Sequence, residues 1–233
     1  MRHRPVRHGL TNLHISKRQP LREEVYETLK KAILRGQIRS GERLIEEQLA
    51  AALEISRTPI REAIHKLEQD DLVVRLPRGG FSVRQLTVED IEEIFGIRSV
   101  LESHAAVLAT RHITADKLRL LDKKIDRSRV CLAQGDRAGL IRLNTEFHEV
   151  LYKSGKSKRL YRMISSLRDY FYRYRVAILG VDGMAEMSIQ DHRDMLEAMR
   201  AGDSATVERV VRRHILRGKD VVIEQIRSGK LRL

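Results

Sequence analysis

The sequence predicts a mainly α-helical protein of two domains: a small N-terminal helical domain with a β-hairpin, followed by an antiparallel all-α bundle. All four prolines of the 233-residue chain lie in its first third. Two short runs rich in β-branched or aromatic residues, at 72–76 and 81–84, lie in the same part. Further on, apolar residues recur at helical spacing, and breaks fall at glycine, serine, threonine or aspartate. These observations predict domains at 20–85 and 86–233.

The first 19 residues are basic. Residues 1–19 contain five lysines and arginines, no acidic residue and no sustained apolar periodicity. Such a composition is typical of a disordered arm, so we expect no folded element there.

An amphipathic helix beginning near Arg57 is the central element of the 20–85 domain. Ser56 is a suitable N-cap, and Pro59 falls in the first turn, where a helix needs no amide donor. Apolar residues form one face, namely Ile60, Ala63, Ile64 and Leu67. Arg57, Arg61 and His65 repeat at a spacing of four on another face, which leaves them free to meet an anion.

The neighbouring segments complete a winged helix-turn-helix. A first helix is predicted at 21–35 and a second at 43–53, with Leu44, Ile45, Leu49 and Leu53 as its apolar stripe. Only two residues separate the second helix from Ser56, and this short turn indicates a helix-turn-helix. The two β-rich runs are joined by Pro77-Arg78-Gly79-Gly80, which predicts a hairpin wing.

The exposed arginines suit binding to double-stranded DNA. Arg57, Thr58 and Arg61 lie in the first two turns, where guanidinium groups of an inserted helix can reach guanine or phosphate. A solvated basic surface is the alternative interpretation of the helix alone. The formal net charge of +13 agrees with a polyanionic partner but does not locate the contact, because residues 1–85 contribute +6 and residues 86–233 contribute +7.

The composition argues against a membrane protein and against a secreted one. No apolar run is long enough for a membrane span, and the N-terminus lacks the apolar core of a signal peptide. The single cysteine, Cys131, excludes an internal disulfide and fits a reducing compartment. We therefore expect a cytoplasmic location and no membrane partner.

The second domain is predicted to be a bundle of six helices. Thr87, followed by Glu89 and Asp90, is a typical helix start at its beginning. The predicted helices span 88–110, 114–134, 136–154, 157–179, 185–201 and 203–228.

Side chains on three of these helices could bind one metal ion. Asn144 and His148 share a face of the third helix, because they are four residues apart. His192 lies in the fifth helix and His214 in the sixth, so the four could converge on a divalent ion inside the bundle. The alternative is that each histidine is an ordinary core or surface residue.

Residues 21–83 resemble the DNA-binding domain of the GntR family of bacterial transcription regulators. The resemblance rests on five segments: Gly41-Glu42-Arg43-Leu44, Leu49-Ala50, Ser56 to Ala63, Leu67-Glu68, and the wing Gly79-Gly80-Phe81-Ser82-Val83. It implies that Arg57 and Arg61 contact the operator, that Thr58 supports them, and that the wing glycines approach the minor groove. Many relatives carry an arginine just before the second helix's Leu-Ala pair, whereas this chain has Glu46-Glu47-Gln48.

Residues 88–225 resemble the FCD effector domain of the FadR subfamily. The matching segments include Asn144 to His148, Asp191-His192 and Arg213-His214-Ile215. The resemblance implies a zinc or nickel ion bound by Asn144, His148, His192 and His214. It also implies an adjacent pocket for a small carboxylate, held by Arg98. Aromatic and basic residues at 168–175, such as Tyr172 and Arg175, could also line this pocket. An Arg98–Glu102 surface ion pair is the alternative role for Arg98.

The expected function is therefore that of a ligand-responsive transcription factor. We expect a homodimeric repressor whose winged domains bind a palindromic operator and whose bundles bind a metabolite. A metal-dependent hydrolase of small carboxylate derivatives is one alternative, although the sequence lacks a His-Glu-x-x-His motif. A DNA-binding architectural protein without an effector is another.

Overall fold

A computed structural model describes residues 20–168 and 172–231, excluding the side chains of Arg168, Tyr172 and Arg173. The predicted basic arm at 1–19 lies outside the described residues. The chain forms two compact units. The first contains the described residues up to Ile33 together with Gly41–Arg84, and the second contains Leu34–Ser40 and the described residues from Gln85 onwards.

The first unit combines three helices with a small antiparallel sheet. Its elements are α1 (Leu21–Leu34), β1 (Arg43–Leu44), α2 (Glu46–Ala52), α3 (Arg57–Gln69), β2 (Val73–Arg75) and β3 (Phe81–Val83). The strand order is β1-β3-β2, with Leu44 and Arg75 both opposite Phe81. This arrangement is the predicted winged helix-turn-helix.

The prediction for the second helix was wrong at its N-terminal end. Arg43 and Leu44 form β1 instead of a helical turn, because Leu44 is buried beside β3 while Ile45 is 41% exposed. The helix begins at Glu46. Pairing with the wing therefore overrides the helical periodicity of this segment.

The predicted start and buried face of α3 are confirmed. The helix begins at Arg57, and Ser56 occupies the N-cap position without a side-chain capping hydrogen bond. The whole predicted apolar face is buried, namely Ile60, Ala63, Ile64 and Leu67. Burial of four side chains on one face leaves the arginine face towards solvent.

The second unit is an all-helical bundle. Its elements are α4 (Val88–His112), α5 (Ala115–Ala133), α6 (Arg137–Ser154), α7 (Lys158–Arg168), α8 (Tyr172–Ile178), α9 (Met184–Arg200) and α10 (Ser204–Arg227). Thr87 forms a capping box with Asp90, which begins α4 where the sequence predicted. The predicted helix 157–179 contains α7 and α8, and residues 169–171 between them lie outside the described residues.

The bundle core is built mainly around α4, α6, α9 and α10. Phe95, Phe147 and Leu151 are among the largest fully buried side chains. Helix α10 packs along α4, and α5 packs against α6 and α9. None of the described helices is long and apolar enough to cross a membrane.

Candidate functional site

The exposed face of α3 carries an arginine pair held by the carboxylates of α2. Nε of Arg61 lies 3.1 and 3.2 Å from the two carboxylate oxygens of Glu46, and its Nη2 donates to Oε2 at 2.9 Å. Nη2 of Arg57 lies 3.5 Å from Oε2 of Glu46 and 2.9 Å from Oε1 of Glu47. The hydrogen bond from Arg61 lowers the pKa of Glu46. The acidic residues at the start of α2 thus contact both predicted DNA-binding arginines.

Two further predicted DNA-binding residues lie on α3. Thr58 is exposed in its first turn. Nδ1 of His65 lies 3.3 Å from Oε2 of Glu68, and the His65 ring meets Phe81 edge-on with 5.4 Å between centroids. The contact with Phe81 joins the polar face of α3 to the wing.

The tip of the wing carries the predicted residues Arg78, Gly79 and Gly80, which are all exposed. The glycines have φ angles of 86° and 82°, a left-handed conformation that side chains disfavour. The amide of Leu76 donates to the carbonyl of Gly80 at 2.9 Å, which closes the turn. The wing therefore needs glycine at these positions.

Three histidines from three helices converge in the bundle. His148 of α6, His192 of α9 and His214 of α10 each offer one ring nitrogen, and these nitrogens all lie within 4.8 Å of one another. The Nε2 atoms of His148 and His192 are 3.2 Å apart. Phe147 stacks on the His192 ring with 4.0 Å between centroids, which fixes the plane of that imidazole.

The opposite nitrogens of two of these rings have other partners. Nδ1 of His148 lies 2.9 Å from the hydroxyl of Tyr152, which donates its own proton to Glu102. Nδ1 of His214 lies 3.1 Å from Oδ2 of Asp191. Both contacts favour the tautomer with the proton on Nδ1, so each Nε2 keeps a lone pair for a metal.

Burial keeps the central imidazoles neutral. The pKa values of His148 and His192 are held well below the ordinary value, first by burial and then by neighbouring imidazoles. A neutral imidazole is the form that binds a metal ion. His148 and His192 are therefore in a ligating state at neutral pH.

The donor set fits a divalent transition metal. Nitrogen ligands at about 2.0–2.1 Å from a tetrahedral zinc ion are about 3.3 Å apart, close to the His148–His192 separation. Asn144 is buried on the wall of a cavity beside the histidines. Its Oδ1 lies 3.3 Å from the Ser188 hydroxyl, which donates to it. The histidines thus could bind a metal, and the role of Asn144 as a fourth ligand stays a prediction.

A cavity of about 50 Å³ lies beside the histidine cluster. Its wall includes the charged residues Arg98, Arg175 and Arg217, and Nη1 of Arg175 donates to the Thr145 hydroxyl at 2.7 Å. Its apolar wall contains Phe95, Ile178, Leu179, Met184 and Ile215. A small anion with a short apolar part would match these walls.

The structure places Arg98 in an ion pair and on the cavity wall, and its role in holding a carboxylate stays a prediction. Nε of Arg98 donates to Oε1 of Glu102 at 2.6 Å, so the ion pair exists. The two side chains are only 11% and 5% exposed, so the prediction of a surface pair was wrong. Arg98 lines the cavity while it is paired. The side chain of Tyr172, predicted to face this pocket, lies outside the described residues.

Sequence reasoning did not assign a role to Asp191. This buried carboxylate accepts hydrogen bonds from His214, from Nη2 of Arg213 at 3.0 Å and from Nη1 of Arg217 at 2.8 Å. Burial acts to raise its pKa, but the hydrogen bond from His214 and the nearby charges lower the net value. The spacing of Arg213 and Arg217 by one helical turn was the available signal, but their common partner lies on another helix.

Comparisons with known proteins agree with both domains. Residues 21–83 match the family described as bacterial regulatory proteins, gntR family, and residues 93–217 match the FCD domain. The HTH-type transcriptional regulator YdhC of Bacillus subtilis is 30% identical over 222 residues, which cover 95% of this chain and 99% of that protein. The chain belongs to the GntR family.

Other relatives of this GntR protein support the same assignment. The HTH-type transcriptional repressor RspR of Escherichia coli is 24% identical over 197 residues, covering 84% of this chain and 86% of that protein. The E. coli structure McbR/YncC has a TM-score of 0.70 at 25% identity and covers 90% of this chain and 100% of that one. A GntR regulator from Rhodococcus sp. RHA1 has a TM-score of 0.66 at 25% identity. The match covers 87% of this chain and 97% of that one.

The protein is a transcriptional regulator with a DNA-binding helix-turn-helix and an effector domain. Its family and relatives indicate regulation rather than catalysis, so the hydrolase alternative has no support from them. The presence of an FCD domain likewise favours an effector over a purely architectural role.

Proposed function

We propose that this GntR protein is a cytoplasmic repressor of the FadR subfamily. It binds a palindromic operator as a homodimer, and it responds to a small carboxylate bound beside a metal ion. The observation that carries the proposal is one cavity whose wall contains His148 and His214 of the histidine cluster together with Arg98 and Arg175.

On the DNA side, α3 is the reading helix. Arg57 and Arg61 lie on its exposed face, and a planar guanidinium can donate two parallel hydrogen bonds to guanine. Glu46 holds both arginines together before DNA arrives, which reduces the side-chain freedom lost on binding. Thr58, His65 and the wing residues Arg78, Gly79 and Gly80 contribute contacts at the edges of the same surface.

On the effector side, His148, His192 and His214 would hold a divalent ion, zinc or nickel, with Asn144 as the proposed fourth protein ligand. Such an ion would supply a Lewis-acidic centre beside the effector carboxylate. Arg98 and Arg175 orient the carboxylate through charge-assisted hydrogen bonds. The apolar wall of the cavity excludes water from these contacts.

Linkage connects the two sites. If effector binding weakens operator binding, the operator-bound protein must bind the effector less tightly by the same factor. Factors of about 5–150, or roughly 1–3 kcal/mol, are typical of such coupling. The proposal therefore makes a reciprocal, quantitative claim about two binding constants.

Titration of labelled operator DNA with the full-length protein, with and without small carboxylates, tests this function. We expect metal-loaded protein to bind the DNA with steep salt dependence, because phosphate contacts release counterions. We expect at least one carboxylate to shift the operator affinity, and chelation of the metal to remove that shift. DNA affinity that is independent of salt, or of every carboxylate tested, would contradict the proposal.

A further inference from the structure

Ser165 of α7 has an unusual hydrogen-bonding state. Its hydroxyl is the one buried side-chain polar atom without a hydrogen-bond partner among the described residues. Serine hydroxyls on helices commonly donate to a carbonyl one turn earlier. Ser128 and Ser154 do so at 2.8 and 2.7 Å, and the adjacent Ser166 donates to the carbonyl of Met163 at 2.8 Å. The hydroxyl of Ser165 is therefore available to another group.

Ser165 lies on the wall of a small side chamber next to the main cavity. The chamber has a volume of about 20 Å³. It shares Arg98, His148 and Arg175 with the wall of the main cavity. Because one water-sized group needs roughly 10–15 Å³, the chamber holds one such group and the main cavity about three to five. A short substituent of a ligand in the main cavity would reach Ser165 by passing the three side chains that the two cavities share.

The charges around the side chamber select the chemistry of that substituent. Two arginines, Arg98 and Arg175, and two glutamates, Glu102 and Glu149, line the chamber. Glu102 accepts from Arg98 and Tyr152. A second carboxylate on the ligand would meet the two glutamates, and an ammonium group would meet the two arginines. A neutral group that can both donate and accept avoids both repulsions.

Tyrosine hydroxyls already donate hydrogen bonds to both glutamates of the chamber wall. Tyr152 donates to Glu102, and Tyr161 donates to Glu149, which also forms an ion pair with Lys153 at 2.7 Å. Ser165 differs, since its hydroxyl lacks such a partner. An unmatched buried hydroxyl destabilises the fold, and a ligand group that pairs with it recovers part of that cost.

We propose that Ser165 is a specificity-determining residue that selects effectors carrying a neutral hydroxyl in addition to their carboxylate. The carboxylate lies in the main cavity, and the hydroxyl enters the side chamber and hydrogen-bonds to Ser165 Oγ. This inference rests on the proposed carboxylate-binding function and adds the second recognition group of the ligand.

Calorimetric titration with matched acids tests the inference. The probes are butyrate and its 2-, 3- and 4-hydroxy derivatives, together with succinate and 4-aminobutyrate. We expect one hydroxybutyrate to bind the full-length metal-loaded protein about 3–10-fold more tightly than butyrate, which is the range of a neutral hydrogen bond. In Ser165→Ala this advantage should fall below twofold, while the affinity for butyrate stays unchanged.

Ser166→Ala is the matched control, because this neighbouring hydroxyl is exposed and bonded to its own helix. It should keep the full preference for the hydroxylated acid. Thermal unfolding without ligand should show Ser165→Ala to be at least as stable as the wild type, since the substitution removes an unmatched polar group. A loss of butyrate affinity in Ser165→Ala would indicate a structural role and overturn the proposal.

The other outcomes separate this inference from the proposed function. If butyrate binds but no hydroxylated form binds more tightly, or if Ser165→Ala keeps the preference, the role of Ser165 is refuted and the carboxylate site stands. A preference for succinate or 4-aminobutyrate over the hydroxybutyrates also refutes it. If none of the six acids binds, carboxylate recognition itself is contradicted and the Ser165 proposal is lost with it.

Discussion

The arginine face of α3 and the histidine cluster of the bundle differ in exposure and in the way their side chains are held. The side chains of Arg57 and Arg61 are 53% and 54% exposed, and the carboxylates of Glu46 and Glu47 hold them. His148 and His192 are 7% and 2% exposed and neutral, and side chains from other helices hold them. An exposed site for a polyanion tolerates movement, because charge acts at a distance. A metal site does not, because its nitrogens must meet at one point.

The largest expected effect is the loss of metal from the buried cluster. His192→Ala removes one of three converging nitrogens, so we expect metal content to fall from about one ion per chain to near zero. In the wild type, chelation should lower the unfolding temperature of the bundle. Metal at one hundred times its Kd contributes about 2.7 kcal/mol, or roughly 5–10 °C for a domain of this size. In His192→Ala, chelation should leave the unfolding temperature unchanged.

The control for this experiment is His104→Ala, because His104 is an exposed histidine of α4 outside the cluster. The metal content from elemental analysis and the effect of chelation on the unfolding temperature, measured by calorimetry, should differ sharply between the two variants. Equal metal content in both would remove the histidine cluster as the site.

The exposed site should respond more gradually. Arg61→Ala should weaken operator binding by roughly 1–3 kcal/mol, or about 5–150-fold, if the arginine makes a bidentate contact with a base. Arg57→Ala should act in the same range. Fluorescence anisotropy with operator and scrambled DNA measures the loss, and the fold should stay intact because both side chains are exposed.

Arg35→Ala is the matched charge control outside α3, since Arg35 is exposed and follows the end of α1. It should cause only a small, sequence-independent loss. If Arg35→Ala weakens operator binding as much as Arg61→Ala does, sequence reading by Arg61 is disproved.

Removing the charge of Asp191 tests whether the buried site depends on residues that do not touch the metal. Asp191→Asn should weaken metal binding about 10–100-fold, because the orientation of His214 depends on its hydrogen bond to this carboxylate. Competition with a chromophoric chelator measures this change. Asp194→Asn is a suitable control, since Asp194 also pairs with Arg213 but does not contact His214. Unchanged metal affinity in Asp191→Asn would assign Asp191 a purely structural role.

The smallest expected effect concerns acid stability of the first unit. Because Arg61 lowers the pKa of Glu46 below its ordinary value of 4.5, the ionised carboxylate stabilises the fold. This contribution is complete above about pH 4.5 and is lost as the pH falls through the lowered pKa. The unfolding temperature of the wild type should therefore exceed that of Glu46→Gln at pH 6, and the difference should shrink towards pH 3.

Glu62→Gln is the control for this comparison, because Glu62 is 48% exposed and 3.6 Å from Arg22. Its difference from the wild type should vary less with pH. A Glu46→Gln difference that is constant from pH 6 to pH 3 would show that the carboxylate charge contributes no stability.

Much of the fold could be predicted because it depends on local periodicity. Helix α3 begins at the predicted residue, and Thr87 caps α4 as expected, since both depend on side chains within one turn. The error at Arg43 and Leu44 has the opposite origin. Their strand is defined by hydrogen bonds to β3, almost forty residues away in sequence, and the local pattern contains no trace of that partner.

The sequence by itself determined which residue types could act: arginines at helical spacing on α3, glycines at the wing, and histidines on three bundle helices. Only the tertiary structure decided how they are used. The convergence of His148, His192 and His214, the buried Arg98–Glu102 pair and the contacts of Asp191 all join residues on different helices or enclose them in the core. The physical reason is that spacing along a chain fixes a helix face, whereas distances between helices and the burial that sets pKa values depend on packing across the whole bundle.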